Sequence, residues 1–218
     1  MTGKIWLAAL TAALLAPRVA SAATVEVDVA DARSQPLADA VVELVAAAPA
    51  RGELPFRLPT EAVIDQRHET FLPLVSLVRQ GGRVIFTNHD TTMHQVYSFS
   101  PIKQFAFEID EGERSLPVVF DKPGVAAIGC NIHDHMITYV YVAASPWTAM
   151  SDGTGRATIE GPPPGTYRGS IWHPRLVPGE TPPSFSVLVS ADGAKTVVHI
   201  PVLSLNPSGK KPMHMQMY

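Results

Sequence analysis

The chain has 218 residues, a formal net charge of −3, 20 prolines, 15 glycines and a single cysteine. That length accommodates one large or two small domains, and the mild acidity, with Lys210-Lys211 as the lone basic cluster, excludes the charge pattern of a nucleic-acid binder. Prolines and glycines punctuate short runs rich in Val, Ile, Phe and Tyr. No window beyond the N-terminus holds a helical period, so the sequence reads as all-β.

Residues 1–22 read as a secretory signal peptide. Lys4 supplies the positive region, Ile5 to Ala16 the apolar run, and Ala20-Ser21-Ala22 the cleavage site. The run is too short for a membrane span, and no later segment approaches spanning length. Cleavage leaves 15 basic against 20 acidic side chains, a charge of −5. The expected location is periplasmic, with no membrane span in the mature form.

Two alternating runs follow, 24–29 and 40–46, with turn residues from Asp31 to Pro36 between them. The Pro-rich stretch 49–59 marks a boundary. Strand signals then recur at 63–65, 75–78, 84–87, 95–99, 105–109, 118–120, 125–129 and 138–143, punctuated by Gly81-Gly82 and Lys122-Pro123-Gly124. Short strands at this spacing predict a Greek-key sandwich or barrel. After Pro146 come a turn at 151–155 and strands at 156–160, 167–172, 184–189 and 196–203. The stretch 206–218 has the composition of a loose tail.

Cys130 is the odd cysteine of an exported chain. An inert buried thiol, an intermolecular disulfide and a metal ligand all compete for it. Composition does not choose among them, but its neighbours do. The run Gly129-Cys130-Asn131-Ile132-His133-Asp134-His135-Met136 ends a strand in a Cys-x2-His-x2-Met loop. Upstream, the strand 84–88 enters a loop that delivers His94. A blue-copper site takes two imidazoles and a thiolate in a near-trigonal arrangement, with a long axial thioether. One short loop can supply Cys, His and Met, and His94 from a neighbouring loop completes the set. His89 lies in the same loop as His94 and is the alternative donor.

The segment 63–143 resembles the cupredoxins, with the ligand loop spaced as in amicyanin. It is similar to bacterial cupredoxin-domain proteins of the methylamine-utilization group through Val96-Tyr97-Ser98-Phe99-Ser100-Pro101, Phe120-Asp121-Lys122-Pro123-Gly124, Gly129 to Asp134 and Trp172-His173-Pro174. The resemblance implies one copper per chain, held by His94, Cys130, His133 and Met136. The chain departs from the group at His135, where an aromatic residue is usual, and at Gln95, where a second histidine is usual. His135 either competes with Met136 as axial ligand, which would lower the potential because a harder donor favours Cu(II), or faces solvent. His68, His173 and His199 read as structural or surface residues.

The ends of the chain resemble one carboxypeptidase-regulatory-like (transthyretin-like) sandwich. Val27 to Leu44 gives its opening strands, and Asp152-Gly153-Thr154-Gly155 and Pro163-Pro164-Gly165-Thr166-Tyr167 its later motifs. The expected organisation is therefore a signal peptide 1–22, a discontinuous sandwich 23–50 plus 147–205, a cupredoxin domain 55–146 inserted in it, and a Met/His tail 206–218. Three functions compete. The first is a one-electron carrier with a redox partner protein. The second is a copper chaperone or buffer with a copper acceptor, favoured by Met213-His214-Met215-Gln216-Met217. The third is an envelope interaction module. An enzyme is not expected: Gly129 and Asn131 flank the cysteine where a multicopper oxidase has histidines, and one cysteine excludes a binuclear copper-A centre. No Ser-His-Asp order, phosphate loop or zinc-protease motif is present.

Overall fold

The computed structural model describes residues 23–48, 57–177, 179 and 181–203. The expected signal peptide, most of the Pro-rich boundary stretch and the Met/His tail lie outside the described residues. The chain is all-β: among the described residues there are sixteen strands and no helix. In order they are β1 (Thr24–Asp31), β2 (Val41–Ala46), β3 (Glu61–Gln66), β4 (Phe71–Leu72), β5 (Val75–Arg79), β6 (Gly82–Asn88), β7 (His94–Ser100) and β8 (Lys103–Ile109). They continue as β9 (Val118–Phe120), β10 (Gly124–Cys130), β11 (Ile137–Ala143), β12 (Thr148–Met150), β13 (Arg156–Glu160), β14 (Gly165–Trp172), β15 (Ser184–Val189) and β16 (Ala194–Ile200).

Four sheets form around two cores. The sheets β13-β1-β16 and β12-β2-β14-β15 enclose one, and β5-β11-β10-β7-β8 and β4-β3-β6-β9 enclose the other. Alternation in β1 explains its place: Val25, Val27 and Val29 are 0–1% exposed, while Glu26 and Asp28 face outward to Arg156 and Lys195. Such a one-sided strand buries its valines only when a second sheet covers them. Its partners come from far along the chain, β13 antiparallel and β16 parallel, so that Val25 lies opposite both Ile159 and Ala194.

The second core gathers Ile64, Phe86, Val96, Phe120, Ile128 and Val140. β3 runs parallel to β6, pairing Gln66 with Asn88. β7 pairs with β8 at His94 and Ile109 and with β10 at Val96 and Cys130. These registers bring the segments following β3, β6, β8 and β10 to one end of the sandwich. Gly129 lets the Tyr97 ring lie close to β10, since a Cβ there would sit 2.9 Å from that ring and push it aside.

The two cores meet along β11. Tyr139 and Tyr141 pack on Trp172 of β14, with ring centroids 5.4 and 6.0 Å apart. Glu43 of β2, buried at 9% exposure, accepts bonds from the Ala144 amide (3.0 Å), the Ser145 amide (3.4 Å) and the Thr148 hydroxyl (3.3 Å). Burial, then the nearby Glu43 charge, pushes the Tyr141 phenol upward.

Several strand limits differ from the sequence expectation. His94 opens β7 and Cys130 closes β10, so both stand on the ladder rather than in loops. The short β4 and β12 were not expected, since two or three residues leave no period to detect.

Candidate metal centre

His94 is wholly buried and Cys130 is 3% exposed. Cross-strand pairing fixes both: His94 opposite Ile109, Cys130 opposite Val96, and the Asn131 amide continuing the ladder to the Gln95 carbonyl at 2.9 Å. His133 follows in the turn after β10, with 18% of its side chain exposed. The Met136 amide closes that turn on the His133 carbonyl at 3.0 Å, and the Met136 side chain is 2% exposed in the same core cluster as Cys130.

Three donor atoms converge. Cys130 Sγ lies 3.6 Å from His94 Nδ1 and 3.9 Å from His133 Nδ1, and the two Nδ1 atoms are 3.2 Å apart. The point in their plane equidistant from all three is about 2.1 Å from each, the bond length of imidazole and thiolate to a first-row metal ion. Among the described residues this is the one cluster of at least three His, Cys, Asp or Glu side chains arranged to hold an ion. A soft thiolate with two imidazoles suits copper, and the buried sulfur of Met136 adds a second soft donor type to the neighbourhood. The residues fit the implied metal.

Carboxylates stand behind the imidazoles. His94 Nε2 donates to Asp90 Oδ2 at 3.0 Å, which places the proton on Nε2 and leaves the Nδ1 lone pair facing Cys130. Burial works to raise the Asp90 carboxyl, but the Glu69 amide, the His94 ring and the His68 amide together hold it below the usual carboxylate value. Glu69 Oε1 lies 3.7 Å from His133 Nε2.

The loop that leads into His94 is braced by Asn88, which is 1% exposed. Its Nδ2 donates to the Thr92 carbonyl (2.9 Å) and the Ile109 carbonyl (3.0 Å), and its Oδ1 accepts the Asp90 amide (2.9 Å). One side chain thereby replaces three backbone partners across the turn.

Among the described residues, His89, His135 and His173 stand apart from the donor triangle. His89 turns to Asp65, its Nδ1 2.5 Å from Oδ1, with 53% of its side chain exposed. His135 is 60% exposed on the rim, 3.7 Å from Glu69 Oε2. Gln95 accepts from Asn131 and donates to Glu108, at 2.9 and 2.8 Å, beside the site. His173 is buried; its Nε2 meets the Ala38 carbonyl at 3.1 Å and its Nδ1 accepts the Arg175 amide at 3.0 Å.

Asn88, Asp90 and Glu69 were not singled out from the sequence. The Asn88-x-Asp90 pattern after a strand is an Asx-turn signal that could have found the first two. Glu69 has no such signal, because only the tertiary fold brings it to His133.

Neither a family model nor a curated protein matches the chain. Among solved structures it is similar to a purple cupredoxin from Nitrosopumilus maritimus, at 24% identity over 38% of this chain and 99% of that one, with a TM-score of 0.35. It is also similar to amicyanin from Paracoccus versutus, at 18% identity over 46% of this chain and 98% of that one, with a TM-score of 0.34. A third likeness is a copper-containing nitrite reductase from Thermus scotoductus, at 22% identity and a TM-score of 0.35, matched over 54% of this chain and 28% of that one. Among the described residues no helix is long and apolar enough to cross a membrane.

Proposed function

We propose that this chain is an exported mononuclear copper protein that carries single electrons, with His94, Cys130, His133 and Met136 as the residues that would hold the ion. The observation that carries the proposal is the donor triangle of Nδ1, Sγ and Nδ1, with edges of 3.2, 3.6 and 3.9 Å. Bound copper would supply the Cu(II)/Cu(I) couple.

The chain's own residues supply rigidity and access. Two donors stand on paired strands and the Asn88 brace holds the His94 loop, so the donors have little freedom to rearrange when the charge of the ion changes. His133 is the one donor of the triangle whose side chain reaches the surface, and its edge is where a partner protein would approach. Its neighbours there are Glu69, His135 and the 45%-exposed Ile132.

The proposal includes the organisation expected from sequence: export by residues 1–22 to the periplasm, a cupredoxin unit 55–146, and an outer sandwich from 23–50 plus 147–205. The assignment as a carrier rather than an enzyme rests on the absence of oxidase histidines beside Cys130. The test is to load the chain with Cu(II) beside Cys130→Ala and record visible absorption and EPR spectra. An intense thiolate-to-copper band, lost in the variant, and a reversible potential are expected. A colourless protein that binds copper equally well without Cys130 refutes the proposal and favours copper handling by the Met213 to Met217 tail.

A further inference from the structure

One turn at the site is built against its own backbone preference. β3 and β4 are joined through His68-Glu69, closed by reciprocal bonds between Arg67 and Thr70 at 3.0 and 3.2 Å. Both central residues have a φ of 52°, the left-handed pair that such a turn ordinarily fills with Asn-Gly. Neither is glycine or asparagine, and Glu is poorly suited to that region. Strain of this kind persists where surrounding contacts over-determine it, and it concentrates at functional sites.

The contacts here are specific. The Asp90 carboxylate accepts the amides of both turn residues, His68 on Oδ1 and Glu69 on Oδ2, the latter at 3.0 Å. That same Oδ2 accepts the hydrogen bond from His94 Nε2–H. The turn then lays the Glu69 carboxylate between two rings, 3.7 Å from His133 Nε2 and 3.7 Å from His135 Nε2. A single strained turn thus couples one acid behind His94 to another behind His133.

The two ring nitrogens facing each other give this a purpose. His94 Nδ1 is a lone-pair acceptor, because its proton is committed to Asp90. If His133 carried its proton on Nδ1, it would donate across the 3.2 Å gap and close the site on itself. A carboxylate facing Nε2 favours the other tautomer.

We propose that the His68-Glu69 turn is a clasp in which Glu69 is a positioning residue: the charge of its carboxylate, 3.7 Å from His133 Nε2, biases the proton of His133 toward Nε2, keeps Nδ1 free to bind the ion, and restrains the ring from swinging outward. The proposal rests on the assignment of His94, Cys130 and His133 as copper ligands. A turn with a purely structural role would be improved by glycine at position 69, which adopts a φ of 52° without strain. The clasp makes the opposite demand, so Glu69→Gly separates the two.

The experiment compares the exported chain with Glu69→Gly and Glu69→Gln. It reads the Cu(II) dissociation constant by chelator competition, the Tm of the metal-free protein, and the His133 tautomer of the metal-free protein by 15N NMR. Expected are an apo Tm at or above wild type for the glycine variant and Cu(II) affinity weakened about 10–100-fold in both, the usual loss when an outer-shell partner of a ligand is removed. His133 should move toward the Nδ1–H tautomer. Affinities within twofold of wild type with an unchanged tautomer overturn the clasp, even in a protein whose Cys130-dependent copper band is intact. Copper binding that survives Cys130→Ala instead removes the ligand assignment itself, and the clasp falls with it.

Discussion

Asn88 offers the sharpest test of how the fold prepares the site. Its side chain serves two carbonyls and one amide across the His94 loop, and the Ile109 bond is fully buried. In Asn88→Ala the Ile109 carbonyl loses its partner in the interior, and the two loop bonds are lost where water can partly replace them. At about 1–3 kcal/mol for a buried orphan and about 0.5–1 for each of the others, the loss is about 3 kcal/mol. For a chain of this length that is a fall of about 6–12 °C in Tm. Asn88→Asp is the stricter case. It preserves shape and the Asp90 bond but turns a carboxylate oxygen toward two carbonyls, so it should destabilise more than alanine. The assay is urea and thermal unfolding of the metal-free chain, followed by far-ultraviolet circular dichroism, beside Cu(II) affinity. A loss under 1 kcal/mol in the alanine variant, or an aspartate variant as stable as wild type, refutes the bracing role.

Two further outcomes are expected. Burial pushes the His173 imidazole down to about 4 from its ordinary 6.5, so the unfolded chain binds more protons between those values. Its contribution is full above about pH 6.5 and is lost as pH falls through about 4, about 3 kcal/mol in all; urea midpoints read by Trp147 and Trp172 fluorescence should drop from pH 7 to pH 5 in wild type and much less in His173→Gln. Met136→Leu keeps the core volume but removes the thioether, so the thiolate band should persist while the reduction potential rises; an unchanged potential would take Met136 out of the ligand set.

The sequence carried the all-β class and the Cys-x2-His-x2-Met loop because both are local. A period of two shows in 24–29, and Cys130, His133 and Met136 sit within one short loop. His94 was reached through the need for a second imidazole from a neighbouring loop. What escaped was decided by tertiary contact. Glu43 reads as an ordinary outward strand residue, and only the approach of Ala144, Ser145 and Thr148 makes it a buried acceptor. Glu69 reads as a charged turn residue, and its left-handed backbone, held by an acid far along the chain, is invisible to any pattern of residue types.

The pairing of the first strand carries a consequence for synthesis. Among the described residues the strands that pair with β1 are β13 and β16, and β2 pairs with β12 and β14, so the earliest strands to emerge must wait for the latest. The unit from β3 to β11 draws its core from its own strands and can close while the C-terminal strands are still being made. During that interval β1 and β2 would have unsatisfied edges, exposed to mispairing and to proteases, which the unit from β3 to β11 would not.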